Sequence, residues 1–198
     1  MKKYKLLIIS VIVMILSFLN SWYSDQLFNI LFVLYLIPVL ILFISWVTCL
    51  ILSIKKIIKE RNIISFATFG IVILTALLII FFPFREAKVK LELYIYEDDR
   101  LEIIKMIDDN ELKVDEYGNV ALPLKYWKTS SSGEVHVYQN DVNGKVIGFW
   151  VFRGIQSGSR ELIYSTGGEK LIRDNEGGHP IVSIEKLKEN WYYVDTDY

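Results

Sequence analysis

The residues able to do chemistry are few and scattered. Two histidines, His136 and His179, and one cysteine, Cys49, are the only nitrogen or sulfur metal ligands. A zinc site needs three or four converging ligands, usually at recognisable spacing, and no His-Glu-x-x-His run occurs. His136 falls in an alternating stretch and is expected on an exposed strand face; His179, just before Pro180, is expected in a loop. Asp141-Val142-Asn143-Gly144 has the look of a calcium loop's start, but position twelve from Asp141 is Phe152, where that loop needs a glutamate. A hairpin turn is the simpler expectation.

Ser130, Ser131 and Ser132 offer hydroxyls without the Gly-x-Ser-x-Gly elbow of the α/β-hydrolases. An envelope hydrolase would have to group Ser130 with His136 and Lys145 in space. Glu97, Asp98, Asp99, Asp108, Asp109, Glu111, Asp115 and Glu116 could do acid–base work, or hold a divalent cation, only inside a cleft. Otherwise they are the solvated face and ends of a helix. Gly154, Gly158, Gly167, Gly168, Gly177 and Gly178, with Arg153, Arg160 and Arg173 nearby, could present backbone amides and guanidinium groups to an anion. Neither a P-loop nor a dinucleotide fingerprint accompanies them, and turn glycines are the simpler reading. On this basis no catalytic, cofactor-binding or metal-ligating residue is assigned and no cofactor is implied.

The elements that must carry these residues fall into two halves. The 198 residues have a net charge of −1, but residues 1–84 hold seven basic and two acidic residues, whereas residues 85–198 hold 15 and 21. A near-neutral average thus joins a basic half to an acidic one, and nothing in it favours a nucleic-acid partner. With 53% hydrophobic residues the chain is too apolar to be disordered. One cysteine excludes an internal disulfide framework.

Residues 1–84 read as a transmembrane domain of three spans, at about 6–23, 27–54 and 63–84. Leu27 to Ile54 and Ile63 to Phe84 contain no charge at all, whereas a soluble core helix keeps a polar face. The second stretch has room to tilt or to bend at Pro38. A Lys-rich start before a short apolar run is also how a secretory signal begins. The run Ser17-Phe-Leu-Asn-Ser21-Trp has no Ala-x-Ala cleavage pattern, so the first span is expected to be retained. Lys2, Lys3 and Lys5, and the connection Lys55 to Arg61 with four basic residues, are expected in the cytoplasm. Three crossings then place residue 85 onward outside the cell membrane. Asn29, Thr48, Thr68, Gly70 and Thr75 are the residues suited to helix packing within the bilayer. Spans without an ionisable group do not suggest an independent transporter.

Residues 85–198 read as an α+β domain of one helix on an antiparallel meander. In 87–96, Val89, Leu91, Leu93 and Ile95 alternate with Lys88, Lys90 and Glu92, which predicts a strand with one buried face. Glu97-Asp98-Asp99 is expected to open a helix carrying Leu101, Ile103, Ile104 and Ile107 and ending near Asn110. Residues 112–133 read as irregular. Strands are expected at 134–140, 146–155, 161–166, 181–187 and 191–195, with turns at Asn143-Gly144 and Glu189-Asn190 and a glycine-rich loop over 167–180. The segments Val146-Ile-Gly-Phe-Trp-Val-Phe-Arg-Gly-Ile155, Glu161-Leu-Ile-Tyr-Ser165 and Ile184-Glu-Lys-Leu-Lys-Glu-Asn-Trp-Tyr192 resemble the outer domains of uncharacterised Gram-positive bacterial membrane proteins, over roughly residues 120–198. That resemblance implies no activity. The expected role is a binding domain held by the lipid bilayer and displayed to another membrane or envelope protein or a peptide. The alternatives are the hydrolase above and a structural subunit of a membrane complex.

Overall fold

A computed structural model describes residues 4–154, 158–175 and 180–197, apart from the side chain of Asn29. Lys2, Lys3, Ile155, Gly177, Gly178 and His179 lie outside the described residues. The chain forms two compact units, Met1–Arg85 and Glu86–Tyr198.

The first unit contains α1 (Lys5–Trp22), α2 (Ser24–Leu31), a 3-10 turn (Phe32–Tyr35), α3 (Leu36–Glu60) and α4 (Ile63–Phe81). Three helical segments, Lys5–Trp22, Phe32–Glu60 and Ile63–Phe81, are long and apolar enough to cross a membrane. The second departs from expectation at both ends. Phe32, at a φ of 49°, breaks the helix, so 27–31 belong to the separate α2. Pro38 lies in the first turn of α3, where a missing N–H is tolerated. At the other end α3 runs on through the basic residues to Glu60. Asn62 then caps α4, its side chain accepting the Ser65 N–H at 3.0 Å.

Val13, Cys49 and Val72 form the small core of this unit, with Trp46 against them and its indole N–H on the Val72 carbonyl at 2.9 Å. Small hydroxyl residues, Ser10, Ser53, Ser65, Thr68 and Thr75, are buried among the helices. Thr68 and Thr75 return their hydroxyls to the carbonyls of Ile64 and Ile71, which satisfies them without a polar partner across the interface. Thr48 and Gly70 face outward instead. Phe18 packs against Trp22, Phe82 and Phe84 in one aromatic cluster.

The second unit carries α5 (Phe84–Asp108, its first two residues belonging to the first unit), β1 (Asn119–Ala121), a 3-10 turn (Leu124–Thr129), β2 (Glu134–Asp141), β3 (Gly144–Phe152), β4 (Arg160–Ser165), α6 (Gly168–Asp174), β5 (Ile181–Lys188) and β6 (Trp191–Thr196). The fold is α+β. The six strands are antiparallel in the order β1-β2-β3-β4-β6-β5, a meander except that β6 inserts between β4 and β5.

One expected strand is helix: residues 87–96 belong to α5. The alternation of Val89, Leu91, Leu93 and Ile95 does not match burial, since Leu91 and Ile95 are exposed. The buried positions are Lys88, Val89, Leu93, Arg100, Ile103, Ile104 and Ile107, and from Val89 on they recur at helical spacing straight through Glu97-Asp98-Asp99. No Gly or Pro interrupts the run, so helix propensity and the longer period prevail. Asn110, at a φ of 59°, terminates the helix.

The two faces of the sheet have separate cores. Val89, Leu93, Ile103, Ile104 and Ile107 of α5 pack with Val135, Ile147, Phe149, Leu162, Trp191 and Tyr193. On the opposite face Val146, Ile163, Tyr192 and Val194 pack with Ile172 of α6, a helix inside what reads from sequence as a loop. Arg100 is 2% exposed. Its Nε and Nη2 donate to the Thr129 carbonyl, Nη1 donates to the Glu92 carbonyl, and its carbon lies 5.7 Å from the Phe149 ring centre. Burial pushes this guanidinium down to about 10, so it stays charged at neutral pH.

Candidate functional site

Strand parity places His136, Tyr138, Gly148, Trp150, Glu161 and Ile163 toward the α6 side of the sheet. There they border a cavity of about 350 Å³, within the range of small-molecule sites. Glu161 sits in a central strand, opposite Trp150 on β3 and Val194 on β6, and is 2% exposed. The Tyr138 hydroxyl donates to its Oε1 at 2.7 Å. Its Oε2 is buried without a partner, and so is the indole N–H of Trp150.

Gly148 makes room for this carboxylate. A Cβ built there would stand 2.0 Å from Glu161 Oε2 and 3.0 Å from the Tyr138 ring. A glycine inside a central strand marks a close approach of this kind. Gly148→Ala is therefore expected to displace the carboxylate and destabilise the second unit by about 1–3 kcal/mol. The same methyl should cost much less in a Glu161→Ala background, a coupling read by a double-mutant cycle of unfolding midpoints.

Burial pushes the Glu161 carboxyl up to about 7, against the opposing pull of the Tyr138 hydrogen bond and the Arg153 charge. Burial likewise raises the Tyr138 phenol, with the adjacent Glu161 charge adding to it. His136 is pushed down, first by burial and then by Arg153, with Asp115 opposing. Its Nδ1 lies 3.1 Å from Asn119 Oδ1 and its ring centre 4.3 Å from that of Tyr138. Arg153 stacks its guanidinium 5.1 Å from the Trp150 ring centre and reaches Glu134 Oε2 at 3.3 Å.

His136 is thus a half-buried cavity residue and not a member of an exposed strand face. Ser130, His136 and Lys145 are drawn to different partners. The Ser130 hydroxyl donates to the Glu134 carbonyl and accepts the Trp150 backbone N–H, while Lys145 pairs with Asp108. Ser130 bridges two strands' backbone groups, so Ser130→Ala is expected to cost about 1–3 kcal/mol, measured as a lower unfolding midpoint.

The acidic run is dispersed: Glu97 pairs with Lys188, Asp108 with Lys145, and Asp115 accepts the N–H groups of Tyr117 and Asn119 in a turn. Asp141 accepts the Asn143 N–H and closes the β2–β3 hairpin. Gly154 and Gly158 border the cavity, but the three arginines do not converge. Arg160 stacks on Phe152 and Arg173 pairs with Glu169. Among the described residues, no group of three His, Cys, Asp or Glu is placed to hold a metal ion.

Glu161, Tyr138, Trp150 and Gly148 were not singled out by sequence reasoning. The available signal was Gly148 inside an otherwise apolar strand, which requires something to lie over it. No family model, curated protein or solved structure matches this chain.

Proposed function

We propose that this is a small multi-pass protein of the cell membrane, its N-terminus in the cytoplasm, that displays the second unit outside and binds a small polar ligand in the sheet cavity. The observation that carries the binding half is Glu161, a carboxylate buried beside a cavity with one oxygen unpartnered. Such a group costs stability unless something completes it, and a ligand is what a functional site supplies. The anchoring half is supported by three helices of sufficient length and apolarity and by the basic segment 55–61 between the second and third.

Two measurements test the two halves. Reporter fusions at residues 24, 58 and 198 should be cytoplasmic only at 58; a cytoplasmic signal at 198 overturns the orientation. Thermal unfolding of the full chain in nanodiscs, against amino acids, sugars and nucleosides, should show one class raising the midpoint in proportion to the logarithm of its concentration. A flat response to every class overturns the binding half.

A further inference from the structure

Glu161 and Trp150 are direct partners across β3 and β4. Side chains so placed have Cβ atoms about 4.5–5.5 Å apart. One contributes an unpartnered acceptor, the other an unpartnered donor. A molecule that completes both must carry a donor and an acceptor close together. We propose that the cavity takes the α-ammonium end of an amino acid or short peptide, with the ammonium on Glu161 Oε2 and the adjoining carboxyl or carbonyl oxygen on the Trp150 indole N–H. This rests on the reading of the cavity as a binding site.

The other walls agree with this chemistry. Val146, Ile163, Ile172 and Val194 supply an aliphatic surface for the side chain next to the ammonium. A sugar would need a free aromatic face. The two aromatic residues of the cavity already hold other contacts, Trp150 with the Arg153 guanidinium over its ring and Tyr138 with the His136 ring edge-to-face. An anion would meet the Glu161 carboxylate, while Arg153 is already held by Glu134. A metal ion would find too few carboxylate or histidine ligands among the described residues.

The ammonium takes the place of the proton on Glu161, so binding releases that proton. Affinity should fall up to tenfold per pH unit below about 7 and level off above it. His136, Tyr138, Arg153 and Asp197 are the other ionisable groups bordering the cavity; of these His136 is held below its usual range by burial and Arg153, so the pH profile is compared with that of a His136→Gln variant.

Calorimetric titration of the full chain in nanodiscs tests the proposal with L-valine, L-valinamide, Val-Gly, N-acetyl-L-valine and glucose. At least one of the three ammonium-bearing probes should bind saturably, and N-acetyl-L-valine at least about 30-fold more weakly, the ratio expected for losing one buried charge contact. Glu161→Gln should weaken the ammonium probes by a similar factor while keeping an unfolding midpoint at or above the parent's at pH 8. Binding of valine alone identifies a free amino acid; binding of valinamide and Val-Gly identifies the amino end of a peptide. Equal binding of N-acetyl-L-valine, or an unchanged affinity in Glu161→Gln, overturns the proposal. If glucose or N-acetyl-L-valine binds and the ammonium probes do not, the ligand class is wrong and the binding site stands. If none of the five binds, this proposal falls, and the reading of the cavity as a site falls with it when the thermal screen of amino acids, sugars and nucleosides is flat as well.

Discussion

Replacing Glu161 by glutamine is expected to abolish a pH-dependent loss of about 3 kcal/mol in the stability of the second unit. In the unfolded chain this carboxyl titrates near its ordinary 4.5; in the fold it is pushed up to about 7. Each tenfold difference in proton affinity is worth about 1.4 kcal/mol. The folded state therefore holds a proton that the unfolded state has lost between these two values. Its contribution is fully present below 4.5, declines as pH rises through the window, and is gone above about 7. Glu92 is also raised by burial, so the comparison of parent and variant, not the parent's profile alone, isolates Glu161. Hydrogen exchange of the β3 and β4 amides, corrected for intrinsic rates, reports opening of this unit without interference from the apolar helices. The gap between Glu161→Gln and the parent should widen by about 3 kcal/mol from pH 4.5 to pH 8. A constant gap would show that the carboxyl is hydrated in the fold.

Arg100→Ala is expected to destabilise the same unit by about 3–5 kcal/mol, enough to consume a large share of an ordinary domain's stability. The guanidinium joins α5 to the last residue of the 3-10 turn: it is the donor to both the Glu92 and the Thr129 carbonyls, and Thr129 itself is 1% exposed. Truncation leaves those carbonyls without this donor and opens a void beside Phe149. Burying a charge is itself costly, which is why burial depresses this guanidinium. The loss on truncation thus measures what is left unsatisfied, not a net gain from the ion. Arg100→Lys should recover only part of it, because an ammonium cannot span both carbonyls from one planar fork. Unfolding midpoints of the two variants check the order; an Arg100→Ala protein as stable as the parent would refute this role.

How much of this was readable in the chain depended on whether a feature was local. The hairpin at 141–144 and the strands β2, β3, β4, β5 and β6 follow from alternation and turn residues, which act over a few positions. The segment 87–96 misled because period-two and helical spacing share Val89 and Leu93, and only burial of Arg100 to Ile107 in the same register separates them. α6 was hidden by its flanking glycines, although Gly167 and Gly168 lie at its start, where they do not interrupt it. β1 is three residues long and takes its form from pairing with β2. The cavity was the least legible part. Glu161 stands between Arg160 and Leu162 in an ordinary strand sequence, and its burial arises from Gly148 and Trp150 on the neighbouring strand. Register brings those residues together, and register is a property of the folded sheet.

The most direct measurement is the titration of that one carboxyl. Difference infrared spectra of the full chain in nanodiscs, parent minus Glu161→Gln, isolate the C=O stretch of protonated Glu161 as pH is raised. A midpoint near 7 is the result expected of a buried acid with one oxygen unpartnered. A midpoint at the ordinary 4.5 would mean that water already completes the group, and the cavity would lose its claim to be a site.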